Sequence, residues 1–370
     1  MNKFLYFLEV QKMAKLKIGI IGCGGIANGK HMPSLAKVKE AEMVAFCDIV
    51  EDKAKAAAAK FGTPDAKVYT DYKQLIADTS IDVVHVCTPN RSHSFISIDA
   101  MRAGKHVMCE KPMAINATEA AEMVRVAKET GKKLTIGYQN RQTPAIRTLK
   151  KIVERGDLGD IYYAKALAIR RRAVPNWGVF LNEYEQGGGP LIDIGTHALD
   201  LTLYTMNNYA PKMVVGTSYK KLNDAEGNAW GPWDPNQNTV EDSAFGFIVM
   251  KDGATISLES SWALNYENPI EASTVLCGTK AGAKTYDGLT INKDDLGRLV
   301  ETKYNLSSGG VAFYEGTNDN DPSGIEAHQW INAILTDTDP CVLPEQALVV
   351  SQILEAIYTS AKTGEPVFFD

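Results

Sequence analysis

Lys17-Ile18-Gly19-Ile20-Ile21-Gly22-Cys23-Gly24-Gly25-Ile26-Ala27 is the stretch that decides how this chain folds. A short β-branched run ends in a G-x-G-x-x-A turn, and a helical pattern follows it. Each small residue has its own reason to be there. Gly22 permits the tight turn, Gly24 lets the backbone approach a pyrophosphate, and Ala27 allows the helix to pack closely on the strand. Gly25 and Ile26 open the helix, whose free N–H groups favour phosphate. A second apolar run, 42–48 (EMVAFCD), ends in Asp48, where a carboxylate can hold a ribose 2′-hydroxyl. Strand, turn, helix and acid together predict a dinucleotide site. Asp48 would repel a 2′-phosphate, and Ile49, Val50 and Glu51 bring no cation to offset it. NAD is therefore favoured over NADP, with Lys53 the nearby positive charge that softens the preference.

Working outward, strand-like runs at 82–88 (DVVHVCT), 106–111 (HVMCEK) and 133–138 (KLTIGY) alternate with helical patterns such as 52–61 and 118–130. That alternation specifies a parallel sheet covered by helices on both faces. The expectation is an α/β chain whose residues 13–143 form a Rossmann, doubly wound NAD-binding domain. From Pro144 the pattern changes. A helix over 146–156 precedes period-2 runs at 162–172, 213–219, 244–250, 254–262 and 271–277. Residues 144–370 are thus expected to form an α+β domain with a mostly antiparallel open sheet, for substrate binding and oligomerisation. Helices over 324–335 and 344–363 should pack back between the two halves. A chain of 370 residues is too long for one ordinary core, which agrees with two domains.

The bulk numbers exclude several classes. With 45% hydrophobic residues, 23% charged residues and a net charge of −6, the chain lacks the basic face that nucleic acid requires. Arg170-Arg171-Arg172 is too short for that role. No apolar run approaches the roughly eighteen residues of a membrane span. Cys23, Cys47, Cys87, Cys109, Cys277 and Cys341 contain no C-x-x-C pair and read as reduced thiols, which points to a cytoplasmic location. His31, His85 and His106 have no partner at metal-ligand spacing and read as structural, so no metal is expected. Residues 1–12 precede a second start at Met13. They read as an extension, their apolar Phe4–Leu8 stretch being too short for a secretory signal.

Three further motifs follow in order. Cys87-Thr88-Pro89-Asn90 with His93 comes first, then Glu110-Lys111-Pro112. The third is Gly187-Gly188-Gly189 followed by Asp193-Ile194-Gly195-Thr196-His197. With the glycine turn, they resemble the glucose–fructose oxidoreductase / inositol dehydrogenase (Gfo/Idh/MocA) family over essentially the whole chain from Lys17 to Val367. The resemblance implies an NAD-dependent oxidoreductase of sugar-sized alcohols, a homo-oligomer, and a catalytic trio of Lys111, Asp193 and His197. It also implies that Thr88, Pro89, Asn90 and Glu110 line the cofactor pocket while His93 supports their loop. The chain departs from the family at Tyr138-Gln139-Asn140-Arg141-Gln142, where many members carry an aromatic residue after Asn-Arg.

The chemistry of the trio can be argued from the residues themselves. A lysine is usually a solvated surface group. Lys111, however, lies at the carboxyl end of a strand, where such sheets bind ligands. There it can stabilise the alkoxide-like charge that develops as hydride leaves a carbon. Pro112 stiffens the chain, and a Lys-Pro bond admits the cis form. Asp193 and His197 are spaced i, i+4 and would share a helix face beginning near Pro190. His197 is the natural general base. Asp193 either orients it, stabilises its charged form, or touches the substrate.

Arg170, Arg172 and Trp177 read as substrate contacts, because guanidinium groups bind hydroxyls and indole faces stack on pyranose rings. A second aromatic insert at 223–238, with Trp230 and Trp233, reads equally as a pocket wall or as a plain connecting loop. The R-R-R-x-V-P-x-W-G and E-Q-G-G-G-P-L-I-D-I-G-T-H patterns resemble a subgroup that includes glycoside 3-dehydrogenases. The expected reaction is oxidation of a secondary hydroxyl of a sugar, glycoside or cyclitol, with C3 of a glucoside foremost. Two alternatives stay open: NAD-assisted glycoside cleavage through a 3-keto intermediate, and a non-catalytic sugar or redox sensor.

Overall fold

The computed structural model describes residues 15–222, 227–306 and 321–370. The extension at 1–12 lies outside the described residues, as does part of the 223–238 insert.

Among the described residues the first sheet has six parallel strands in the order β3-β2-β1-β4-β5-β6. They are β1 (Leu16–Ile21), β2 (Ala41–Cys47), β3 (Lys67–Tyr69), β4 (Val83–Val86), β5 (His106–Cys109) and β6 (Leu134–Ile136). Ile18 and Ile20 of β1 and Val83, Val84 and Val86 of β4 are fully buried, as expected of strands covered on both faces. The helices obey local signals. Asn116 caps Ala117–Thr130 by accepting the Glu119 N–H at 2.8 Å, and Gly131, at φ +65°, ends it. The short strand β3 was not visible as a hydrophobic run. Its pattern is exposed, then half-buried, as befits an edge.

Among the described residues the second sheet has nine strands in the order β14-β13-β12-β11-β7-β10-β9-β8-β15. They are β7 (Ile161–Ile169), β8 (Pro211–Tyr219), β9 (Ser243–Met250), β10 (Thr255–Ser261), β11 (Ile270–Gly278), β12 (Gly282–Lys284), β13 (Thr290–Asp295), β14 (Arg298–Lys303) and β15 (Val367–Phe368). Every neighbouring pair is antiparallel except β10 with β7. The Thr196–Met206 helix packs on β7 and β11, and the Pro344–Thr363 helix packs on β8. On the opposite face of β8 and β9, Val215, Tyr219 and Phe247 are exposed.

The Pro322–Leu335 helix returns to the first sheet. Its Ala327, Trp330 and Ile331 are buried in one cluster with Ile18, Ile20, Met32 and Phe46. All six cysteines are free, four of them buried. Among the described residues no helix is long and apolar enough to cross a membrane.

Candidate active site

The G-x-G-x-x-A turn follows β1 and has the shape that its sequence requires. Gly22 has φ +88°, and a Cβ there would lie 2.7 Å from the Cys87 backbone. A Cβ on Gly24 or Gly25 would meet nothing within 4 Å, so this side of the turn is open. Ala27 is fully buried against the sheet while Ile26 stands exposed. The helix begins with a wide turn, Ala27–His31, and continues as Met32–Leu35.

Asp48, just beyond β2, ties the turn down. Its Oδ2 accepts the Cys23 N–H at 2.9 Å and its Oδ1 accepts the Val50 N–H at 2.9 Å. Both oxygens keep lone pairs for ribose hydroxyls. Ile49 beside it is 91% exposed. An open glycine turn, a helix start and a fixed carboxylate fit a dinucleotide.

At the ends of β4 and β5 the remaining cofactor candidates come together. Thr88 and Pro89 form the loop after β4. The two ring nitrogens of His93 lie 2.8 Å from Thr88 O and 2.7 Å from Pro112 O, so the imidazole links this loop to the Lys111–Pro112 turn. Asn90 is buried and donates to Gln186 O at 3.0 Å, which joins the loop to the segment before the second motif. Glu110 is buried too, and it faces a charged interior. Its Oε1 lies 2.7 Å from Lys30 Nζ and 2.7 Å from His31 Nε2, and its Oε2 accepts the Lys111 N–H at 3.1 Å. Lys30 also pairs with Glu326 at 3.2 Å, and His31 reaches His85 at 3.0 Å. Burial pushes the Glu326 carboxyl up to about 7, against the opposing pull of Lys30. For Glu110, burial acts upward as well, yet Lys30 and His31 outweigh it and hold the group well below its ordinary value.

Lys111 stands two residues past the end of β5, preceding a cis peptide bond to Pro112. Its Nζ donates to Asp193 twice, to Oδ1 at 3.0 Å and to the backbone carbonyl at 2.9 Å. Asp193 Oδ2 accepts the indole N–H of Trp262 at 3.0 Å and lies 3.6 Å from Arg170 Nη1. Burial pushes the Asp193 carboxyl up, but Lys111, Arg170 and Trp262 outweigh it and leave it below its ordinary value. Asp193 is thus an anion with its oxygens engaged.

Asp193 and His197 do not share one regular α-helix. Asp193 belongs to a wide π turn, Leu191–Gly195, that runs into the α-helix Thr196–Met206. No hydrogen bond joins the two side chains; Asp193 is turned to Lys111, and of the roles open to it, holding the imidazole directly is not the one this geometry displays. The π turn is fastened from behind by Glu241. Its Oε2 accepts the Gly189 N–H at 2.9 Å, and its Oε1 accepts the Leu191 N–H at 3.1 Å and the Tyr358 hydroxyl at 2.8 Å.

His197 meets the edge of Tyr138 with ring centroids 6.2 Å apart, and Tyr138 bonds Thr196 through its hydroxyl at 2.8 Å. Its Nδ1 is buried with no hydrogen-bond partner among the described residues. Burial, and then the Lys111 charge, lower its pKa to about 3 against the opposing pull of Asp193 and Glu110. The imidazole is neutral at pH 7 and can accept a proton. Arg141, in the segment that departs from the family pattern, is wholly buried and paired with Asp200 of the Thr196–Met206 helix at 2.5 and 2.9 Å. Its place is structural.

The substrate candidates separate. Because β7 ends at Ile169, Arg170–Arg172 leave the sheet, and Arg172 takes φ +51°. Arg170 turns to Asp193, to Glu271 at 2.6 Å and onto the face of Trp230 at 4.6 Å. Arg172 turns away and donates to Gly227 O at 2.5 Å. Trp177 stacks on Trp230 with centroids 5.2 Å apart. Trp262, Tyr138 and Glu241 were not singled out from sequence. Trp262 directly follows β10 and reads as core, which its burial also makes it.

A parallel sheet in the order 3-2-1-4-5-6, an open glycine turn at its carboxyl edge, and a lysine–aspartate–histidine group beside it define an NAD-binding oxidoreductase acting on CH–OH groups. The chain belongs to the GFO/IDH/MocA family. Residues 16–138 match the oxidoreductase family's NAD-binding Rossmann fold, and residues 146–284 match the GFO/IDH/MocA C-terminal domain. It is 37% identical over 355 residues to D-glucoside 3-dehydrogenase of Escherichia coli K12, covering 95% of this chain and 97% of that protein. It is also 37% identical over 146 residues to inositol 2-dehydrogenase of Salmonella typhimurium, covering 39% of this chain and 43% of that one. The fold is that of levoglucosan dehydrogenase in complex with NADH, with a TM-score of 0.81 at 24% identity over 96% of this chain and 99% of that one.

Proposed function

We propose that this protein oxidises the C3 hydroxyl of a glucoside to a 3-keto glycoside, with NAD as the hydride acceptor. The observation that carries this reading is the near full-length likeness to D-glucoside 3-dehydrogenase, and intact Lys111, Asp193 and His197 agree with it. A sensor would have no use for a base and a paired lysine.

In this reading the Gly22–Ala27 turn and Asp48 hold the dinucleotide, with Thr88, Pro89 and Asn90 beside it. When bound, NAD supplies the hydride acceptor. The neutral imidazole of His197 takes the proton of the hydroxyl. The Lys111 ammonium, held by Asp193, donates to the oxygen as its charge grows. Asp193 acts as a positioning residue for Lys111. Fixing the reacting carbon between these groups supplies a large share of the rate. Residues 13–143 serve the cofactor and 144–370 the substrate. The exposed β8 and β9 face serves self-association, since an uncovered apolar sheet face favours a partner.

The test is incubation with NAD and methyl glucosides, followed by NMR of the product. A 3-keto glucoside in step with NADH is expected. A lactone from free glucose with no turnover of any methyl glucoside sinks this reading. Released aglycone without NADH accumulation favours NAD-assisted cleavage instead.

A further inference from the structure

The aromatic side chains around Asp193 close a circuit. Asp193 accepts the Trp262 N–H, and Trp262 meets Phe180 edge-on with centroids 6.5 Å apart. Phe180 meets Trp177 at 6.0 Å, and Trp177 lies against Trp230 at 5.2 Å with an interplanar angle of 35°. Trp230 carries the Arg170 guanidinium, which returns to Asp193. Trp262 is 1% exposed, whereas Trp177 and Trp230 further along are 53% and 41% exposed. An aromatic wall therefore begins at the Asp193 carboxylate and ends in water, one guanidinium away from it. Adjacent exposed indoles beside the Lys111–Asp193 pair are suited to binding a flat apolar group.

The polar neighbours decide what that surface takes. Arg172 is turned onto Gly227 O through Nε and Nη2. The Asn176 amide donates to Trp230 O and Pro232 O, at 2.9 and 3.0 Å. The Asn228 amide bonds both backbone groups of Val174 at 2.9 Å. These side chains are engaged by the two loops themselves, while the indoles of Trp177 and Trp230 stay part-exposed. A second sugar would bring hydroxyls that need partners, whereas a flat apolar ring needs faces alone.

The geometry points to an aglycone subsite at Trp177 and Trp230 that takes an aryl group attached to the oxidised sugar. It rests on the glucoside reading above. With the full-length enzyme and NAD, kcat/KM for at least one anomer of phenyl glucoside is expected to exceed that of the matching methyl glucoside by about tenfold, through KM. Cellobiose and maltose fall below phenyl glucoside. Trp230→Ala brings the phenyl-to-methyl ratio to within about threefold of one, and Trp230→Phe keeps most of it. The ratio is internal to each variant, so a smaller folded fraction does not move it. Calorimetric binding of the same compounds to the enzyme–NADH complex gives the comparison without turnover. Equal KM and Kd for phenyl and methyl glucosides, a preferred disaccharide, or an unchanged ratio in Trp230→Ala overturns the subsite. A phenyl preference with oxidation elsewhere than C3, or phenyl-selective binding with no oxidation, keeps the subsite and overturns the C3 reading.

Discussion

Lys111 grips Asp193 at two points, the side-chain carboxylate and the main-chain carbonyl, across 82 residues of sequence. The pair joins the first sheet to the second: the lysine follows β5, and the aspartate opens the helix that lies on β7 and β11. A half-buried ammonium held at two points has little freedom to change its position.

Lys111→Ala and His197→Ala are each expected to lower kcat by roughly 10²–10⁴, the usual worth of one electrostatic or acid–base group. NAD affinity, followed by fluorescence quenching, should hold, because neither side chain bonds the glycine turn or Asp48. Near-normal turnover in either variant removes that residue from the mechanism.

Trp262→Phe keeps the ring and deletes one donor to Asp193. A lost hydrogen bond to a charged group costs about 1.5–3 kcal/mol, so kcat should fall by about tenfold to about 150-fold if that cost is felt in the barrier. The same donor helps hold the Asp193 carboxyl low. The acid limb of the kcat profile should therefore move to higher pH in the variant. An unmoved limb would mean that Asp193 does not govern it.

Two buried groups make opposite contributions to stability as pH changes. His197 has its pKa lowered to about 3 from 6.5, so between these values the unfolded chain holds a proton that the native one lacks. Stability is lost as pH falls through that window, and His197→Asn should flatten the loss. Glu326 is raised to about 7 from 4.5, so here the native chain holds the extra proton and stability is lost as pH rises. The Tm of Glu326→Gln relative to wild type should climb between about pH 5 and about pH 8. Parallel Tm curves for wild type and variant would show that the group titrates in the native state as it does in the unfolded one.

Asp48→Ala combined with Ile49→Arg should shift preference toward NADP, measured as the ratio of kcat/KM values. The change removes the repelling carboxylate and puts a guanidinium at a site already open to solvent. An unchanged ratio would detach Asp48 from the ribose.

Much of this was legible in sequence because it is local. Gly22, Gly24 and Ala27 announce the turn by their size, and Asp48 follows from the strand that ends beside it. What stayed hidden depends on tertiary neighbours. Trp262 and Asp193 lie 69 residues apart, and a tryptophan at a strand end reads as core whether or not its N–H has a partner. The spacing of Asp193 and His197 looks α-helical, yet Asp193 lies in a π turn, and at its end Gly195 sits so close to β10 that a Cβ would meet Ser260 at 3.0 Å. Arg170 and Arg172 seemed equivalent until the strand ended between Ile169 and Arg170 and sent them apart. The network of Lys30, His31, His85, Glu110 and Glu326 draws on four separate segments, and no one segment signals it.

Tyr358 lies in the Pro344–Thr363 helix, and its hydroxyl donates to Glu241. Through Glu241 its hydroxyl bears on the backbone that aims Asp193. Genetics would record this as action at a distance. A missense change at Tyr358 would surface among catalytic alleles, and suppressors of it would map to Glu241 or the glycines at 188–189 before they mapped to its own helix.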